Sequence, residues 1–127
     1  MTSPDLREIL IGLGATDAIF REHAAGLRKN PAVNSVTVLC EPSRSSERPA
    51  IEWFCDAELT TGAAVSWNLL LYSNGASWAV HRLVRRIDGD RSNELMELAE
   101  VVDDQAQVIE RLRTMASELV GVPIPLE

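Results

Sequence analysis

The sequence predicts an α+β fold in two layers: an N-terminal helical segment, a four-stranded antiparallel meander and a long C-terminal helix. Three observations carry that expectation. Asn74-Gly75 separates two apolar-rich runs at 63–72 and 77–87, and Asn-Gly best tolerates the positive φ that a type I′ hairpin needs at both central positions. Residues 50–59 alternate apolar and polar with period two. Apolar residues at helical spacing flank the strand region on both sides.

The helical segment begins at Ser3-Pro4-Asp5, which reads as N-cap, first helical residue and dipole-stabilising acid. Leu6, Ile9, Leu10 and Leu13 then share one face. Gly12 and Gly14 weaken that helix, and a break is expected near Gly14. A second helical signal starts at Thr16-Asp17, carries Ile19, Phe20, His23 and Leu27 on one side, and stops at Asn30-Pro31.

Four strands are expected at about 33–40, 50–59, 63–72 and 77–87. Val36, Val38 and Cys40 alternate with Ser35, Thr37 and Leu39 in the first. In the second, Ile51, Trp53, Cys55, Ala57 and Leu59 alternate with Glu52, Phe54, Asp56 and Glu58, the pattern of an antiparallel sheet covered on one side. The polar run 41–49 is rich in turn formers and is expected to be a mobile surface loop. After Asp88-Gly89-Asp90, a helix is expected from Ser92 or Asn93 to about Val120, ended by Gly121 and Pro123. Leu95, Leu98, Val102, Gln105, Ile109, Leu112, Ala116 and Leu119 would form its stripe, packed on the sheet or, alternatively, on a second copy.

A loop of Asn74 and Gly75 sets Leu71 opposite Trp78, Leu69 opposite Val80, Trp67 opposite Arg82 and Val65 opposite Val84. A three-residue link through Thr60, Thr61 and Gly62 sets Cys55 opposite Trp67 and Trp53 opposite Leu69. The two hairpins agree on which residues look inward. Cys40 and Cys55 fall on the covered face as reduced thiols, with Cys40 near Ile51. Arg82 also falls there, where a guanidinium must stack on Trp67 and find an acid, a carbonyl or a way out to water.

The opposite face carries Glu52, Phe54, Asp56 and Glu58 beside Tyr72 and His81. Phe54, Asn68 and His81 are expected in one row, and Asp56, Ser66 and Leu83 in the next. Aromatics among acids suit a protein interface better than a solvated sheet. Ser66, His81 and Asp56 resemble a hydrolase triad in composition only. Ser66 would be roughly 7–8 Å diagonal from His81 between backbones, and Asp56 would lie on the wrong side to orient the ring.

Charge and composition narrow the function classes. One domain spanning 1–127 is expected at this length, and a core of that size needs no disulfide or metal. A formal charge of -7 disfavours a phosphate backbone as ligand, despite the basic cluster Arg82, Arg85, Arg86 and Arg91. Two histidines without local ligand spacing predict no metal site. Gly12-Leu13-Gly14 follows helix rather than strand, so it is no phosphate loop. No apolar run is long enough for a membrane span, and no signal-peptide pattern opens the chain, so the cytoplasm is the expected compartment.

The leading expectation is therefore a non-enzymatic protein-binding module without cofactor. Glu52, Phe54, Asp56, Glu58, Tyr72 and His81 would be its contact residues, and its partner would be basic. Helix–four strands–helix layouts recur among small adaptor, secretion-chaperone and toxin-immunity proteins, a likeness of layout that does not fix function. The alternative is a small anionic-ligand or enzymatic domain with a pocket near Arg82, Trp67 and Trp78. Homodimerisation is compatible with either.

Overall fold

Period-two alternation organises most of the chain between residues 33 and 102. The computed structural model converts it into five antiparallel strands, paired in the order β1-β2-β3-β4-β5. The structure describes residues 14–42, 50–74, 77–102 and 105–124. Helix α1 (Gly14–Arg28) leads into β1 (Val33–Pro42), β2 (Ala50–Leu59), β3 (Ala64–Asn74), β4 (Ser77–Asp88) and β5 (Arg91–Val102), and α2 (Gln105–Val120) closes the order. The expected helix over residues 3–13 lies outside the described residues. So does the expected 41–49 loop, apart from Glu41 and Pro42, which extend β1.

Both helices lie on one face of the sheet. Phe20, Ala24 and Leu27 of α1 and Val108, Leu112, Met115, Ala116 and Leu119 of α2 join one core cluster with the odd-numbered residues of β2 and β3 and the even-numbered ones of β4. Spacings of three and four residues on each helix make these single stripes. Trp53, Trp67, Leu69 and Leu71 are at most 1% exposed, so the inward phase expected from the sequence holds. The stripe residues 112, 116 and 119 of the last helix hold as well, joined by Val108 and Met115.

The β2–β3 hairpin matches expectation. Cys55 pairs with Trp67 and Trp53 with Leu69. The Leu59 amide donates to the Ala63 carbonyl at 2.8 Å, closing Thr60, Thr61 and Gly62 as the link. Gly62 supplies the positive φ, 92°, that such a three-residue loop requires.

The β3–β4 pairing differs from expectation by one pleat. Asn74 pairs with Ser77, so Trp67 opposes Val84, Leu69 opposes Arg82 and Leu71 opposes Val80. The central residues of the reversal are positions 75 and 76, which lie outside the described residues. The sequence permits both registers, since a leading Gly suits a type II′ hairpin as Asn-Gly suits type I′. A shift of two residues keeps every side chain on its own face, so hydrophobic patterning cannot choose between them. Cys40 is displaced in the same way. It pairs with Trp53, not near Ile51, and it is solvent-exposed instead of buried. Burial pushes the Cys55 thiol up to about 12, which leaves it unreactive.

The larger correction concerns residues 91–102, a fifth strand where a helix was expected. Asp88 pairs with Arg91 across Gly89 and Asp90, and Gly89 adopts a φ of 60°. Glycine first in a two-residue link is a hairpin signal in its own right. The run Ser92-Asn-Glu-Leu-Met-Glu-Leu-Ala99 is rich in helix formers, but β4 offers an unpaired edge next to it in sequence. Edge pairing overrides intrinsic propensity here. One extra residue, Leu95, bulges out where the register shifts between Val84 and Arg85.

Two outcomes follow from this packing. An added Cβ at Gly89 meets nothing within 4 Å, so Gly89→Ala should cost only the backbone penalty, roughly 1–2 kcal/mol by urea unfolding. The His23 ring sits edge-on to Trp67, with centroids 4.5 Å apart, and its buried Nε2 has no partner. Burial holds this imidazole below its ordinary 6.5. Below that pH the unfolded chain takes up a proton that the folded chain resists. Stability is therefore full above 6.5 and falls as the pH drops toward the depressed folded value. His23→Phe keeps the ring contact and should flatten this acid limb in unfolding titrations.

Candidate interaction face

The face away from the helices is built by even-numbered residues of β2 and β3 and odd-numbered residues of β1 and β4. Its rows can be read from the register. Leu39, Phe54, Asn68, Leu83 and Glu97 form one; Glu41, Glu52, Leu70, His81 and Ala99 form the next. On the other side of Phe54 run Thr37, Asp56, Ser66, Arg85 and Glu94. Among the described residues no helix covers this surface. Phe54, Leu70, Tyr72 and Leu83 on it are half-buried.

An open depression of about 520 Å³ lies on this face, lined by Phe54, Asp56, Glu58, Ser66, Asn68, Leu83, Arg85 and Ile87. Its floor is apolar at Phe54, Leu83 and Ile87, and its β2 wall is acidic. Glu58 accepts a hydrogen bond from the Ser35 hydroxyl at 3.2 Å. On the far side, the His81 Nε2 lies 3.5 Å from Glu97. Glu94 hydrogen-bonds Glu97, which raises the Glu94 carboxyl, while the same bond together with His81 lowers that of Glu97.

The six residues expected to contact a partner, Glu52, Phe54, Asp56, Glu58, Tyr72 and His81, all stand on this one face. Their rows differ from expectation, again by one pleat. Leu83, not His81, completes the row of Phe54 and Asn68. Arg85, not Leu83, completes the row of Asp56 and Ser66. At one end Tyr72 stands between Ala50 and Ala79, both buried. Glu94, Glu97 and Val101 of β5 also belong to this face, which the helix expected over those residues does not anticipate.

Ser66, His81 and Asp56 do not come together on this face. Ser66 opposes Arg85, and His81 lies four residues further along β4, about 13 Å away at strand rise. Asp56 is on the opposite flank of Ser66. Among the described residues no three His, Cys, Asp or Glu side chains converge in a way that could hold a metal ion.

Arg82 lies on the covered face, 6% exposed, and its Nη1 donates to Glu118 of α2 at 2.8 Å. The shifted register takes it off Trp67 and sets it where α2 can reach. An anionic ligand at Arg82, Trp67 and Trp78 would find the cation already paired and both indoles buried. No helix among the described residues is long and apolar enough to cross a membrane. No protein-family model, curated protein or solved structure matches this chain.

The Arg82 pair has an asymmetry that can be measured. Glu118→Ala leaves a guanidinium unanswered at a buried position, and should cost about 1–3 kcal/mol in urea unfolding. Arg82→Met keeps an apolar stem and frees a carboxylate that is 59% exposed, so its cost should be the smaller of the two.

Proposed function

We propose that this chain is a non-enzymatic protein-binding module, of the adaptor, secretion-chaperone or immunity kind, acting in the cytoplasm. The observation that supports it is a sheet face that no described helix covers, where apolar side chains lie among acids around an open depression. A face left merely solvated would be expected to carry polar residues throughout. Here Phe54, Leu70, Leu83 and Ile87 interrupt that pattern.

Glu52, Asp56 and Glu58 lie along β2, with Glu41 beside them on β1. They would steer a basic partner toward the depression, while Phe54 and Tyr72 supply apolar contact and His81 a polar edge. Arg85 would stand as the one cation among the described lining residues and discriminate against partners with positive charge at that point.

Co-purification from the native host, read by mass spectrometry, tests the reading. A Phe54→Ala/Asp56→Lys chain should lose its partner, with a drop in affinity of about tenfold or more. Raising the salt should slow association with the unaltered chain, because exposed acids act mainly on encounter. Identical partner sets for both chains would sink the proposal.

A further inference from the structure

The sheet has two edges, and they are treated differently. β1 lies under α1: Val33, Val36 and Val38 pack on the core, and the Arg28 guanidinium donates to the Val36 carbonyl at 3.4 Å. β5 has little such cover. Of its twelve residues only Val102 is buried, while Leu95, Leu98 and Val101 are 41%, 49% and 61% exposed.

Leu98 pairs with Arg82 on the helix side, and Val101 pairs with Ala79 on the open side. Apolar side chains thus stand on both faces of one edge strand, whose outer side pairs with no described strand. A partner docking on either face would cover only half of them. Continuation of the sheet by another strand covers both, and it also satisfies the outward-pointing amides and carbonyls.

We infer that β5 is a homodimerisation edge, across which two copies pair antiparallel about a two-fold axis at Leu98. The charge pattern selects a second copy as occupant. In such a pairing Leu98 meets Leu98 of the second copy, Glu97 meets Ala99 and Met96 meets Glu100. No glutamate opposes a glutamate, although the strand carries three. An axis at Glu97 or Glu100 would set an acid against itself, which is destabilising. An axis at Ala99 would set Leu98 against Glu100.

The acids nearest the axis already have partners within the chain. Arg111 of α2 holds Glu100 through two bonds of 3.0 Å, and His81 lies beside Glu97. The bulge at Leu95 bends the strand just outside the paired segment 96–100 and limits its length. This edge is separate from the depression on the open face, so the dimer stands or falls independently of the proposed function.

Light scattering on the eluting protein tests it, using wild type, Leu98→Glu and Leu98→Lys. Wild type should show twice the chain mass. Each variant alone should show half that value, since like charges then meet at the axis. Mixing the two variants should restore the doubled mass, because opposite charges meet there. A wild-type mass of one chain, a dimer persisting in either variant, or a mixture that stays monomeric overturns the inference. Should a variant fail to fold, amide exchange on the wild type decides. Protection of 96–100 that rises with protein concentration supports the edge, and protection independent of concentration overturns it.

Discussion

Trp53 and Trp67 stand diagonally on neighbouring strands, each 1% exposed, beneath a helix layer wide enough for one side of the sheet. The burial of these indoles, with the aliphatic residues of the same parity, sets the phase of every strand. A slip of one residue would turn both tryptophans into water and bring Phe54, Asp56 and Ser66 inward. At roughly 25 cal/mol per Å² of apolar surface, that exchange costs far more than any turn preference. Both described helices lie on the face these indoles occupy.

The same constraint explains the polar features of the covered side. Arg82 has inward parity, so a guanidinium enters a layer of apolar side chains. Glu118 answers it from α2, and Glu100 with Arg111 makes a second tie between that helix and the sheet. The first pair spans 36 residues and the second 11, from β5 to the helix that follows it. The Trp67 indole N–H and the His23 Nε2 are buried without partners, so this part of the core is held by packing rather than by hydrogen bonds. The edge-on contact of His23 with Trp67 belongs to that packing.

Much of the architecture was legible because it is local. The β2–β3 hairpin follows from alternation on both sides of Thr60-Thr61-Gly62, and the end of α1 follows from Asn30-Pro31. In the structure the Asn30 side chain accepts from the Ala32 amide and its carbonyl accepts from Val33. The six expected contact residues could be placed on one face for the same reason, since parity survives a two-residue error in register. Their rows could not. Which of His81, Leu83 or Arg85 stands beside Asn68 or Ser66 depends on how the reversal after Asn74 is closed, and two closures satisfy the same pattern.

The chain's own letters determined the α+β class, the inward set of β2, β3 and β4, and the sidedness of Phe54, Asp56 and Tyr72. Each of these is a matter of period, and period can be read within ten residues. Tertiary structure alone decided that 91–102 is a strand, because Glu, Leu, Met and Ala favour helix in isolation. Only the unpaired backbone edge of β4 reverses that preference. It also decided that Arg82 meets Glu118, since a pairing across 36 residues depends on where a helix is laid down, which no local spacing encodes.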